Sequence, residues 1–292
     1  MPRSWVPVSV VILTCALGVW PTAGANSVTV TAIDVPGARG TYAFGINGGG
    51  EIVGRFQGAG ATFHGYLRNA RGAFTTFDVP GAAGTEASGI NDGGQIVGSC
   101  TDAGGKWHGY LRAAGGTFTA IDVPDARDTY ASGINGAGQI TGYFKDAGGK
   151  AHGYLRTVGG TFTTIDAPGA AETSLIGINA AGQIVGHFVS AGGAHHGILR
   201  TAGGTFTTID APGAMNTYAF GINAGGQIVG AFVGAGDTFH GYLRTAEGTF
   251  TTLDAPGATR TYAFRVNSVG QIVGVFEEPD GTVHGYVTKL KK

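Results

Sequence analysis

Three observations predict an all-β fold: a 44-residue repeat in six copies, four short runs of strand-forming residues in each copy, and turn residues between the runs. Single residues fix the period. Asp34, Asp78, Asp122, Asp166, Asp210 and Asp254 stand 44 apart, as do Asn47, Asn91, Asn135, Asn179, Asn223 and Asn267. The same step separates His64, His108, His152, His196, His240 and His284. In the fifth copy the runs are residues 205–209, 217–222, 227–232 and 240–244, rich in Thr, Val, Ile, Phe and Tyr, with Gly, Pro and Asn between them. Beyond residue 25 no stretch carries a helical period. Four strands in 44 residues suit one propeller blade, and six blades close into a ring without a long free edge. The expectation is therefore a six-bladed β-propeller with four strands per blade. A parallel β-helix ranks second, because its coils are usually shorter and do not require a fixed length.

The first 25 residues stand outside the repeat. Arg3 precedes a nearly continuous apolar run from Trp5 to Trp20, and Ala23-Gly24-Ala25 provides small residues before Asn26. That order predicts a cleaved signal peptide over residues 1–25 and export to the periplasm or beyond. The run falls short of the roughly 20 residues that span a bilayer, so no membrane span is expected. Cys15 follows Thr14, which disfavours a lipoprotein site. Six copies fill 264 of the remaining 267 residues, giving one domain over residues 26–292.

After removal of the leader, Cys100 is the one cysteine, so burial and backbone pairing must hold the fold without an internal disulfide. Cys100 replaces a Phe of other copies, which predicts a buried thiol. Without Arg3 the chain has 17 basic and 19 acidic residues, a net charge of −2, and lacks the basic footprint of a nucleic-acid binder. Lys289, Lys291 and Lys292 read as a solvated tail. A monomer is expected.

The ends predict how the ring closes. The first copy opens with a strand over residues 28–33 that has no His-Gly-Tyr-Leu-Arg run before it, while the last copy ends with residues 284–290 and no strand after them. Pairing the two makes the N-terminal strand the outermost strand of the last blade. Segments such as 217–222 then lie innermost, where Ala219 and Gly221 suit a crowded axis.

With the strands in this order Asp210, Thr217, Phe232 and His240 share one end of the blade, the top. Counting across the turn at 246–248 sets His240 opposite Leu253 and beside Asp254, so each His neighbours the next copy's Asp and His284 neighbours Asp34. Thr, His and Asp together admit a nucleophile, base and acid. A buried hydrogen-bond network is preferred, since an enzyme seldom needs six equivalent active sites on one ring. A shared metal is excluded because six histidines two strands out from the axis cannot converge on one ion. Neither a metal nor a cofactor is expected. In the "GINAGGQIVG" segment, Asn223 caps the turn and Gly226 supplies a positive φ before the return strand. One Asn without carboxylates is a poor calcium site. Asp210-Ala211-Pro212-Gly213 reads as the turn into the next blade.

The Gly-Ile-Asn and His-Gly-Tyr-Leu-Arg motifs are similar to the HAF-type extracellular repeats of bacteria, with His-Gly-Tyr in place of His-Ala-Phe. The resemblance covers nearly the whole of residues 26–292. It implies a secreted bacterial repeat protein and brings no catalytic residues. The Thr, His and Asp arrangement also resembles the structural network of WD-repeat propellers.

A unique site must break the repeat. One top-face column reads Tyr42, Glu86, Tyr130, Ser174, Tyr218 and Tyr262, and another reads Arg55, Ser99, Tyr143, His187, Ala231 and Val275. The first is expected near the channel mouth, where aromatic faces and one carboxylate suit a sugar or a peptide. The candidate ligand-binding residues are Tyr42, Glu86, Tyr130, Tyr218, Tyr262, Arg55, Tyr143 and His187. The leading expectation is a secreted, non-enzymatic binding or scaffold module for an extracellular glycan or protein. A lectin-like ring with repeated sites is second, and a glycan hydrolase or lyase using Glu86 and His187 is last, because no second acid stands near Glu86 in the sequence.

Overall fold

The computed structural model describes residues 29–289. The expected signal peptide, Val28, Leu290, Lys291 and Lys292 lie outside the described residues. Within them the chain forms 24 strands in six four-stranded antiparallel sheets, a six-bladed β-propeller. In blade 5 the order outward from the axis is Asn216–Ile222, Ile228–Val233, Phe239–Arg244 and Phe250–Leu253. The first three lie within a residue of the runs 217–222, 227–232 and 240–244, the run 205–209 is Phe206–Ile209, the outermost strand of blade 4, and the other blades repeat the pattern. In blade 6 the outermost strand is Thr29–Ile33, paired antiparallel to Val283–Lys289. The ring is thus closed by the N-terminal strand, as the unpaired ends predict.

Burial follows the strand alternation. Each apolar cluster straddles two successive blades: Val185 and Ile209 of blade 4 pack with Ala219, Ile222 and Tyr242 of blade 5. Ile33 joins Ala43, Ile46 and Tyr66 of blade 1 across the closing seam. Burying one such Ile contributes about 1.5–3 kcal/mol, so six seams supply the core that a chain without disulfides requires. Cys100 is buried, as its Phe-replacing position predicts, and burial raises its thiol to about 11.

The innermost strands share an irregularity the sequence reading did not foresee. Each skips one residue of its ladder: Phe44, Ser88, Ser132, Ile176, Phe220 and Phe264 sit at a β-bulge. The next residue is Gly in five blades, and the space allows little else. A Cβ at Gly133 would lie 2.6 Å from the Ile176 carbonyl oxygen of the next blade. Inner strands therefore approach backbone to backbone at the axis.

At the bottom, Asn223 caps its turn as expected. Its Oδ1 accepts from Gln227 N at 3.0 Å, and Gly226 closes the turn at φ +75°. The same Asn has a second role. Its Nδ2 donates to the Asn267 carbonyl of the next blade at 3.2 Å, and Asn267 Nδ2 donates in turn to the Asn47 carbonyl at 3.1 Å. Asn47, Asn91, Asn135 and Asn179 reach forward in the same way, so six side chains form a closed belt.

Closure by the N-terminal strand makes a quantitative prediction. Ile33 and Ile209 occupy equivalent outer-strand positions and are both 2% exposed. Ile33→Ala and Ile209→Ala should each lower the unfolding free energy by about 2–5 kcal/mol in denaturant titrations. An Ile33→Ala protein as stable as its parent would show that blade 6 does not depend on this strand.

Candidate functional site

The repeated Thr, His and Asp do not assemble as a triad. Thr217 Oγ1 accepts from Ala211 N at 3.0 Å, which fixes the blade-to-blade turn, and Thr41, Thr85, Thr129, Thr173 and Thr261 do the same. His240 Nδ1 lies 2.9 Å from the Asp254 carboxylate, and five equivalent pairs follow around the ring, ending with His284 and Asp34. Two expectations are corrected. Gly241, rather than His240, is the register partner of Leu253, so the imidazole stands level with Asp254 itself. The pairs are also not buried, since the Asp254 side chain is 43% exposed and that of His240 30%. They clip the outer hairpin at the solvent boundary, where such pairs add little stability. Five of the six His also pack on a neighbouring Phe of their blade, with Phe232 and His240 stacked at 5.2 Å, while His108 lies opposite Cys100.

The two divergent columns fall on the top face and are direct cross-strand partners: Tyr42 with Arg55, Glu86 with Ser99, Tyr130 with Tyr143, Ser174 with His187, Tyr218 with Ala231 and Tyr262 with Val275. Their side chains meet neighbouring blades at the seams, and Tyr42, Tyr218 and Tyr262 also pack on Phe44, Phe220 and Phe264 of the innermost strands, with ring centres 6.0, 6.1 and 6.0 Å apart. Arg55 of blade 1 reaches Glu86 of blade 2 at 2.7 Å. Trp107 of blade 2 packs on Tyr130 of blade 3, which stacks on Tyr143 at 4.5 Å between ring centres. His187 and His195 of blade 4 pack on Tyr218 of blade 5, and Phe239 of blade 5 packs on Tyr262 of blade 6. The seams therefore share geometry but differ in chemistry. Trp107, His195 and Phe239 belong to a third column on the third strand, visible in the sequence only once strand order is known.

Glu86 and His187, the two groups of the enzyme reading, do not meet. Glu86 sits on blade 2 and His187 on blade 4, each with other partners. Burial raises the Glu86 carboxyl, and the Arg55 guanidinium pulls it back down. Burial, and secondarily the neighbouring His195, lowers the His187 imidazole to about 4. Burial raises the Tyr130 phenol to about 12 and those of Tyr143, Tyr218 and Tyr262 as well. Among the described residues no group of three or more His, Cys, Asp or Glu is placed to hold a metal ion. None of their helices is long and apolar enough to cross a membrane.

The channel holds a residue that the sequence reading passed over. Arg265 replaces the Gly of the inner-strand column, and its guanidinium donates to the carbonyls of Ser132, Ile176 and Phe264 at 2.7, 2.9 and 3.0 Å, and to that of Phe220. These are bulge carbonyls of four blades. Burial lowers the Arg265 pKa to about 10, which still leaves it charged at neutral pH. The signal was one break in a column of five glycines.

The His187 environment fixes a pH dependence. Its folded-state value of about 4 lies below the ordinary 6.5, so the neutral ring supports the fold above pH 6.5 and that support is lost as pH falls toward 4. The shift corresponds to about 3 kcal/mol. His187→Phe should flatten the fall in unfolding free energy between pH 6.5 and 4; an unchanged slope would show that this imidazole does not titrate in a buried site.

No protein-family model and no curated protein matches the chain. Solved structures do. A putative TolB from Agrobacterium tumefaciens is similar at a TM-score of 0.61 and 15% identity, over 90% of this chain and 97% of that one. A mutant Aleuria aurantia lectin in complex with Fucα1-6GlcNAc is similar at 0.53 and 10%, over 88% and 93%. The β-propeller domain of the Trilobed protease from Pyrococcus furiosus, described as having an open velcro topology, is similar at 0.52 and 9%, over 86% and 96%. At these identities the likeness is one of fold, and the chain is by fold a six-bladed β-propeller whose ring is closed by its N-terminal strand.

Proposed function

We propose that the chain is an exported, non-enzymatic binding module whose ligand meets the top face. The observation that carries this reading is the pairing of the two divergent columns. Residues that hold the ring repeat every 44 positions, whereas the direct cross-strand partners over the seams change from blade to blade. Variation concentrated at one end of a rigid scaffold is where propellers and other repeat folds carry recognition. Unlike seams favour a single site over six equivalent ones, which sets aside the repeated-site lectin. The separation of Glu86 from His187, and of Thr from the His and Asp pairs, removes the two catalytic groupings the sequence suggested. The apolar run in residues 1–25 and the resemblance to HAF-type repeats support a periplasmic or extracellular bacterial setting. An extracellular glycan or protein is the ligand class.

The test is binding of purified residues 26–292 to an array of glycans and peptides, with calorimetric stoichiometry on any hit. One site per chain is expected. Replacing Tyr130 and Tyr143 together by Ala should weaken binding tenfold or more if their stacked pair lies in the contact, as aromatic anchors commonly do. Ala at the exposed Val158 and Val269 of the bottom turns should leave affinity unchanged. Six sites per chain, chemical conversion of the bound molecule, or sensitivity confined to the bottom turns would contradict the proposal.

A further inference from the structure

The seam between blades 1 and 2 differs from the other five. Arg55 is the one guanidinium of its column and Glu86 the one carboxylate of the other, and they meet across this seam at 2.7 Å. Both line a cleft of about 240 Å³ together with Phe63, Trp107, Thr62 and Thr101. The pair is partly accessible, at 24% for the Arg55 side chain and 17% for that of Glu86. Their bond uses Nη1 and Oε2, so Nη2 remains as a second donor and Oε1 as a second acceptor. Arg55 Nε is buried with no hydrogen-bond partner among the described residues. The guanidinium lies over the Phe63 ring at 4.1 Å and the Tyr42 ring at 4.7 Å, which holds it in place.

The chemistry of this cleft selects its ligand. Arg55 and Glu86 compensate each other, so an anion or a cation would have to break the pair and strand one charge, at a cost that disfavours both. A neutral ligand need not. A hydroxyl accepts from a guanidinium and donates to a carboxylate, and adjacent hydroxyls can engage both members of an ion pair. Trp107, which lines the cleft, offers an aromatic surface to the apolar C–H face of a ring compound. The volume lies below the roughly 300–1,000 Å³ that hold drug-sized ligands, which fits one ring rather than a chain of them. Resting on the reading of the top face as the binding surface, we propose that the Arg55–Glu86 seam is a single-site pocket for a neutral sugar ring, either a free monosaccharide or the terminal residue of a glycan.

The sequence provides a reporter inside the pocket. Of the three tryptophans, Trp5 and Trp20 lie in residues 1–25, so Trp107 is the one tryptophan of residues 26–292. The experiment titrates this protein with methyl glycosides of glucose, galactose, mannose, fucose and N-acetylglucosamine, followed by Trp107 emission and by calorimetry. A saturable emission change with one site per chain is expected for at least one glycoside. It should fall tenfold or more in affinity in Glu86→Gln and in Arg55→Lys, with thermal unfolding confirming that both variants fold. Calorimetric binding that leaves Trp107 emission unchanged and persists in both variants would overturn this pocket while leaving the top-face reading intact. No binding of any of the five glycosides would overturn the sugar assignment, with the array result on the parent protein then deciding the broader reading independently.

Discussion

The ring depends on a hydrogen bond repeated six times, from the side-chain amide of one bottom-turn Asn to the backbone carbonyl of the Asn 44 residues on. The bond needs a side-chain donor at the same place in every blade, since each Asn donates its amide to one neighbour and accepts through its backbone carbonyl from the other. The Asn side chain also binds its own turn through Oδ1, so one residue fixes the hairpin and its neighbour together. The sixth bond, from Asn267 back to Asn47, joins residues 220 apart in sequence and exists only in a closed ring. A repeat without insertions is what such a belt demands, because displacing one Asn would break two bonds and leave buried polar groups unpaired.

Closure at the bottom leads to crowding at the axis. Bulges direct inner-strand carbonyls toward the neighbouring blade, and glycine allows them to approach. Arg265 departs from that column and gathers four blades through their bulge carbonyls. A buried guanidinium without a carboxylate partner is tolerated because several carbonyl dipoles surround it. Hydrogen-bonding groups thus reach across blades at the axis and at the bottom, while outer strands contribute burial through residues such as Ile33 and Ile209. The top face carries the Thr-held turns and the His–Asp pairs, and beside those repeated contacts the two columns diverge.

Much of this was legible in the sequence. Alternating runs and turn residues located three strands of blade 5 and the outermost strand of blade 4 to within a residue, and the unpaired ends identified Thr29–Ile33 as the closing strand. The period implied that His240 meets the next copy's Asp, but turn counting placed the register one residue off, because hairpin length alone does not reveal the offset between strands. The Asn belt was hidden since capping explained Asn223 fully within its own turn. The top-face columns were found by where the repeat breaks, yet their position over seams depends on side-chain direction in bulged strands, which period alone does not give. The third column, with Trp107 and His195, escaped notice because pairing it with the others requires the third strand's register.

The claim that these blades form one closed ring is tested most directly by equilibrium unfolding of Asn135→Ala beside Asn267→Ala. A closed belt predicts a single cooperative transition in both proteins and a similar loss of about 1–3 kcal/mol in each. A loss at Asn135 with none at Asn267, or separate transitions for different blades, would contradict closure and leave an open stack in its place.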